Sequence, residues 1–320
     1  MYGSSRLMVK TRWSALPTKN LLTLEGVTKE ELKEILDLAQ DYPLERAGAP
    51  LVGRTVCLAF FEASTRTAVS FELAAKRVGA DVVSLSEKGS AIQKGESLLD
   101  TVVTLDALRA DAIVIRHPSA GAAALAARYT DAAVVNAGDG RSQHPTQALI
   151  DLYALSGYLG GFEELVGRRV AVVGDILHSR VARSIIPAFS AAGMEVALVA
   201  PRTLLPDETG AWGLPILPTV DDALSWGAEV LYALRLQKER MSGARIPSVA
   251  EYACYYGVAK RHLEAGALVM HPGPVNRGVE IQGDVVLSDS SLIPTQVASG
   301  VAVRSAVLAL AVGATQKVAA

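Results

Sequence analysis

RTVCLAFF, residues 54–61, followed by Glu62-Ala63-Ser64-Thr65-Arg66-Thr67, is the stretch whose reading decides the fold. Six apolar residues in a row, Val56 to Phe61, predict a strand buried on both faces, the kind found in a parallel sheet. Residues 66–78 then read as a helix, with Val69, Leu73 and Ala74 expected on its inner face. Between strand and helix lies a turn with three hydroxyls and a guanidinium. The first N–H groups of a helix have no internal partner and carry partial positive charge. Adding Ser64, Thr65, Arg66 and Thr67 at that point makes a phosphate the natural occupant. A lone Ser-Thr pair would read as an N-cap; the Ser-Thr-Arg-Thr tetrad at a strand end offers more donors than a cap uses.

Outward from this stretch the same alternation repeats. Thr28 and Glu31 form a capping-box pattern ahead of a helix carrying Leu32, Ile35, Leu36 and Ala39. Strands are expected at 81–85, 112–116, 133–136, 169–173, 195–200, 230–234 and 268–271. Helices are expected at 98–108, 121–129, 145–156, 179–192 and 292–311. Residues 86–97 and 237–247 are polar and read as loops. Alternating strands and helices imply parallel sheets with crossover helices, and functional groups at the carboxyl ends of the strands. The expected fold is α/β: two domains of similar size, each a parallel sheet flanked by helices and joined by interdomain helices. The first would comprise residues 1–145 plus 292–320, the second 146–291, with the helix from Pro145 as a bridge.

The composition agrees with this and excludes other classes. With 320 residues, half of them hydrophobic and a fifth charged, the chain has material for two cores. A formal net charge of -2 gives no general attraction to nucleic acid or anionic membrane. Cys57 and Cys254, far apart and without metal-ligand spacing, read as buried thiols in a reducing compartment, which points to the cytoplasm. No apolar run of the roughly 18 residues needed for a membrane span is evident. Residues 1–20 are basic and hydroxyl-rich with no acid. Organelle transit peptides share that composition; a polar extension is the plainer reading. Residues 170–174 followed by a helix resemble a dinucleotide-binding half only superficially, because Gly174-Asp175-Ile176 lacks the G-x-G-x-x-G fingerprint.

Other strand ends are equally polar. Arg116-His117-Pro118 closes one strand, Asn136-Ala137-Gly138-Asp139-Gly140 the next, and His144-Pro145-Thr146-Gln147 opens a helix with Pro at its first position. Arg180 follows the turn after 169–173, and Arg235-Leu236-Gln237-Lys238-Glu239-Arg240 follows 230–234. Arginine forks match carboxylates, so these are candidate anchors for an acidic second substrate.

Phe60-x-Glu62-x-Ser64-Thr65-Arg66-Thr67 resembles the signature of the aspartate/ornithine carbamoyltransferase family, with Ala63 where Pro is frequent. The segments 114–118, 136–149, 235–240 and His271-Pro272-Gly273-Pro274-Val275-Asn276-Arg277-Gly278-x-Glu280 resemble its aspartate-specific branch. The ornithine branch, the alternative, carries a cysteine-containing segment where this chain has Gly273. The resemblance implies transfer of a carbamoyl group from carbamoyl phosphate to aspartate, a step of pyrimidine biosynthesis.

It also implies roles. Ser64, Thr65, Arg66, Thr67, Arg116, His144, Gln147, Gly273 and Pro274 would bind carbamoyl phosphate, with Arg66, Thr67, Arg116 and His144 catalytic and Pro274 preceded by a cis bond. Gln147 would hold the amino group of the carbamoyl moiety. Lys94, Arg180, Arg235 and Gln237 would bind aspartate, with Ser90 and Lys94 reaching in from a neighbouring subunit of a homotrimer. A regulatory or dihydroorotase-like partner chain is a further possibility within the family. Because the substrate amine attacks directly and the departing phosphate can take its proton, neither a protein general base, nor a metal, nor a cofactor is expected.

Overall fold

The computed structural model describes residues 20–42, 49–86, 96–207, 209–237, 246 and 248–313. Residues 1–19, the segment carrying Ser90 and Lys94, and Lys238, Glu239 and Arg240 lie outside these. The chain divides into two compact units: residues 1–27, 34–146 and 301–320, and residues 28–33 and 147–300. Each unit holds a parallel sheet flanked by helices, which is the expected α/β class.

In chain order the first elements are α1 (Lys29–Gln40), β1 (Thr55–Phe60), α2 (Thr65–Arg77), β2 (Asp81–Ser86), α3 (Leu98–Ala107), β3 (Ala112–His117), α4 (Ala122–Ala126), β4 (Ala133–Asp139) and α5 (Pro145–Leu159). The capping box forms at α1: Thr28 N–H donates to Glu31 Oε2 at 2.8 Å and Glu31 N–H donates to Thr28 Oγ1 at 3.2 Å. The first sheet runs β2-β1-β3-β4, all parallel. Its inner strands β1 and β3 are the continuous apolar runs, as burial on both faces requires. Cys57, Ala59, Val102, Leu105, Ile113, Ile115 and Val134 share one core. Residues 20–22 close the open edge at β4. Leu21 N–H donates to Val134 O and Asn136 N–H to Leu21 O, both at 2.9 Å, and Asn136 Nδ2 donates to Leu22 O.

The second unit adds β5 (Arg169–Val173), α6 (Arg180–Ala191), β6 (Glu195–Val199), α7 (Thr209–Trp212), β7 (Ile216–Leu217), α8 (Val220–Trp226), β8 (Val230–Ala233), α9 (Val249–Tyr256), α10 (Lys260–Glu264), β9 (Leu268–Met270) and the start of α11 (Ile293–Val312). The order is β7-β6-β5-β8-β9, again parallel. Ala171, Val173, Val199, Leu231, Ala233 and Val269 lie in its core. In both sheets the strand order reverses once, between β1 and β3 and between β5 and β8. At such a switch point the two crossovers leave in opposite directions and open a crevice at the carboxyl ends of the strands.

Three expectations from the sequence are corrected. The inner face of α2 carries Thr67, Phe71, Ala74 and Ala75, while Val69 and Leu73 are exposed at 48% and 42%. TRTAVSFELAAKR has apolar residues on more than one stripe, so periodicity did not single out the buried one. Arg304 settles the matter from α11, its guanidinium 4.9 Å over the Phe71 ring and its Nη1 2.6 Å from Ser70 Oγ. Cys57 is buried as expected, but Cys254 is exposed: α9 is barely two turns long, with Tyr252 on its buried face. Finally, α11 is long and apolar enough to cross a membrane by length and composition, with a mean hydropathy of 1.5 over its apolar window. That window is 72% buried inside the protein, which accounts for its apolar character as a core helix.

Candidate active site

β1 delivers its backbone to Ser64, the N-cap position of α2, with extended dihedrals (φ -160°, ψ 93°). Its side chain makes no cap hydrogen bond to the helix; Ser64 Oγ instead donates to Thr67 Oγ1 at 3.0 Å. The start of α2 thus keeps its N–H groups uncapped by this residue, which is the electrostatic condition for an anion. Thr65 and Arg66 are exposed there and Thr67 is buried.

β3 ends beside it, with Phe60 and Arg116 in register. Arg116 is buried, and its Nη1 donates to Ala137 O and its Nη2 to Glu62 Oε1, each at 3.2 Å. The fork is therefore aimed by the turn after β1 and by the end of β4. His117 packs on Phe61 with ring centroids 5.1 Å apart and accepts from Ser119 N–H at Nδ1. Burial lowers its pKa from the ordinary histidine value.

The segment ahead of His144 is organised by Asp139. Its Oδ2 accepts from Gly121 N–H at 2.6 Å, and its Oδ1 from Gln143 N–H at 3.0 Å and Asn136 Nδ2 at 2.9 Å. Gly140, at φ +49°, leaves no room for a side chain: a Cβ would lie 2.6 Å from Ala120 N and 2.9 Å from Pro118 O. The missing side chain lets the 118–120 turn and the end of β4 approach this closely. His144 follows, buried, just before α5.

In the second unit the switch point lies between the turn 174–179 and the segment 234–237. Asp175, fully buried, joins them. Its Oδ1 accepts from His178 N–H at 3.2 Å and lies 2.8 Å from His178 Nδ1, while its Oδ2 accepts from Gln237 N–H at 3.1 Å. Gly174, at φ +116°, passes so close to Tyr252 that a Cβ would sit 2.7 Å from its hydroxyl. Ser179 caps α6, accepting from Ala182 N–H, and Arg180 follows it, buried, in the first turn. Arg235 and Gln237 are half-buried on either side of buried Leu236.

The bond from Gly273 to Pro274 is cis, as expected. This loop is pinned by Glu280, which accepts from Asn276 N–H at 2.6 Å and lies 3.5 Å from His271 Nε2. Gln147, in the first turn of α5, donates to Asp151 Oδ1 at 2.8 Å.

The first unit thus gathers Ser64, Thr65, Arg66, Thr67 and Arg116 at one switch point. The second gathers Arg180, Arg235 and Gln237 at the other. Ser90 and Lys94 fall outside the described residues. Sequence reasoning assigned no role to Glu62, Asp139, Asp151, Asp175 or Gln296. For Asp151 a signal was present, its i+4 spacing from Gln147 on one helix.

Residues 19–156 match the carbamoyl-P binding domain of aspartate/ornithine carbamoyltransferases, and residues 166–311 match their Asp/Orn binding domain. The chain belongs to the aspartate/ornithine carbamoyltransferase family. Among carbamoyltransferases it is 74% identical, over 94% of its length and 99% of the relative's, to the aspartate carbamoyltransferase catalytic subunit of Rubrobacter xylanophilus. It superposes with a TM-score of 0.78 on the catalytic subunit of an aspartate transcarbamoylase from M. jannaschii, 36% identical, covering 91% of this chain and 97% of that one. An aspartate transcarbamoylase from Trypanosoma cruzi in complex with carbamoyl phosphate and aspartate gives a TM-score of 0.80 at 28% identity, covering 92% and 96%.

Proposed function

We infer that this chain transfers the carbamoyl group of carbamoyl phosphate to the amine of L-aspartate, giving N-carbamoyl-L-aspartate and phosphate. The observation that carries this reading is the start of α2. A strand-end helix whose N-cap side chain leaves the first turn uncapped, with Ser64, Thr65, Arg66 and Thr67 around it and Arg116 on the adjacent strand, is chemically suited to an acyl phosphate. The 74% identity to an aspartate carbamoyltransferase catalytic subunit favours aspartate over ornithine as acceptor.

The chemistry needs little beyond positioning and charge. The aspartate amine attacks the carbonyl carbon, a C–N bond forms, and negative charge collects on the carbonyl oxygen. Arg116, Thr67 and His144 are assigned to that oxygen. A donor aimed at a developing oxyanion is typically worth about 3–4 kcal/mol in the transition state. The C–O bond to phosphate then breaks, and the leaving phosphate takes the proton given up by the amine. Ser64, Thr65 and Arg66 hold that phosphate, and Gln147, Gly273 and Pro274 hold the amino end of the carbamoyl group. Arg180, Arg235 and Gln237 take the two carboxylates of aspartate. Ser90 and Lys94 act in the site of a neighbouring copy, which makes the working form a closed ring of at least three.

Two measurements test the reading. Phosphate release from carbamoyl phosphate is compared with aspartate and with ornithine as acceptor; faster turnover with ornithine overturns the acceptor assignment. For the shared site, inactive Arg66→Ala and Lys94→Ala chains are dissociated, mixed and reassembled. If each site draws Lys94 from a neighbour, random rings regain about a quarter of the native activity. Recovery of none would show that each copy completes its own site.

A further inference from the structure

We propose that Asp151 is a positioning residue that fixes which end of the Gln147 amide faces the carbamoyl group, and so lets the enzyme tell an amino group from a methyl at that position. The proposal deepens the reading above and rests on its assignment of Gln147.

Asp151 lies on α5 with no exposed surface. Its Oδ1 accepts from Gln147 Nε2 at 2.8 Å and from Gln296 Nε2 at 2.7 Å, and its Oδ2 accepts from the Tyr232 hydroxyl at 2.5 Å. An ionised carboxylate can only accept, so each glutamine must turn its NH2 toward Asp151 and its carbonyl oxygen away. The orientation of Gln296 is checked independently, because its Oε1 accepts the His271 backbone N–H at 3.0 Å, and a backbone N–H can only donate. Burial and the adjacent Asp151 carboxylate raise the Tyr232 pKa well above the ordinary tyrosine value, which keeps that hydroxyl a donor.

The consequence falls on the far side of the Gln147 amide. With its NH2 engaged, Gln147 presents Oε1, a pure acceptor, to the substrate. An acceptor suits the N–H of a carbamoyl group and gains nothing from a methyl. The same carboxylate, through Gln296, holds the backbone of His271 at the head of the loop that reaches Gly273 and Pro274. One buried anion thus orients both sets of groups assigned to the amino end of the carbamoyl moiety.

The test compares carbamoyl phosphate with acetyl phosphate, which carries a methyl in place of the amino group, as ligands of wild type, Asp151→Leu and Asp151→Asn in the assembled enzyme. Asp151→Leu removes both acceptor oxygens, and the Gln147 amide is then free to turn. Carbamoyl phosphate is expected to weaken roughly 10- to 50-fold, while acetyl phosphate changes less than about threefold. Asp151→Asn keeps one oxygen able to accept from both glutamines and is expected to hold most of the wild-type preference. Where Leu at this buried site prevents folding, Asp151→Ser serves, with the same selective loss expected. Equal weakening of both phosphates, or an unchanged preference in the Leu or Ser variant, overturns the proposal and leaves Asp151 a structural residue. Failure of the underlying reading would show differently: the wild-type enzyme would not turn over carbamoyl phosphate with aspartate at all.

Discussion

The two sheets reverse their strand order in the same way, yet the groups at their switch points are held by different means. In the first unit, Ser64 to Thr67 are neighbours in sequence and take their geometry from the start of α2 itself. In the second, Arg180 opens α6 after β5 and Arg235 follows β8, and a buried carboxylate, Asp175, ties the two connecting segments together. A phosphate can be met by a local turn, because helix geometry already aims its N–H groups at one point. Two carboxylates several bonds apart need cations from separate strands, and their spacing must be set by something between them. The difference separates ligand contact from framework: the turn from Ser64 to Thr67 can lose a contact and keep its frame, whereas the second site has a frame residue whose loss moves the contacts.

Arg66→Ala tests the first half of this contrast and has the largest expected effect. Turnover should fall on the order of 100- to 1,000-fold. Because Arg66 is exposed, the unfolding midpoint should shift by no more than about 2 °C. A large loss of stability would break the contrast. Arg180→Ala comes next. It should raise the KM for aspartate by roughly 30- to 300-fold, the size seen when a buried charge pair loses one partner, with carbamoyl phosphate binding unchanged. Titrations of each substrate separately would show whether the two units divide the labour this way.

Asp175→Ala sharpens the comparison from the framework side. It leaves the buried His178 ring and the Gln237 N–H without their acceptor, so a stability loss of about 2–3 kcal/mol is expected together with a raised aspartate KM. Ser64→Ala, in the turn after β1 of the first unit, should cost less than about 1 kcal/mol, because that side chain caps nothing. Chemical denaturation of the two variants side by side decides between them.

The smallest effect is one of pH. Burial holds the His117 pKa below that of an exposed histidine, so the unfolded chain takes up this proton first as pH falls. Stability should therefore decline as pH drops through about 6.5 and toward the lower folded value, and His117→Phe should flatten that part of the profile.

Much of this arrangement is legible in the sequence. The buried strands announce themselves as apolar runs, and the hydroxyl-and-arginine turn is contiguous from Ser64 to Thr67. What stays hidden is of two kinds. Short elements such as β7, α7 and α10 are too brief to show a period. The framework carboxylates are hidden because their partners are remote: Asp151 meets Tyr232 81 residues away and Gln296 145 residues away. The i+4 spacing from Gln147 is the one local hint, and it does not point to either remote partner. The misjudged face of α2 is an intermediate case, in which the sequence offered two apolar stripes and only the packing of Phe71 under Arg304 chose between them.

The edge of the first sheet has a consequence for how the chain is made. Asn20 caps Val134 N–H, and Leu21 pairs alongside β4, across a separation of 114 residues. On the ribosome this segment emerges well before its partner strand, which lies 114 residues further along the chain. Until β4 arrives, a newborn sheet of three strands has an unguarded flank open to pairing with another chain.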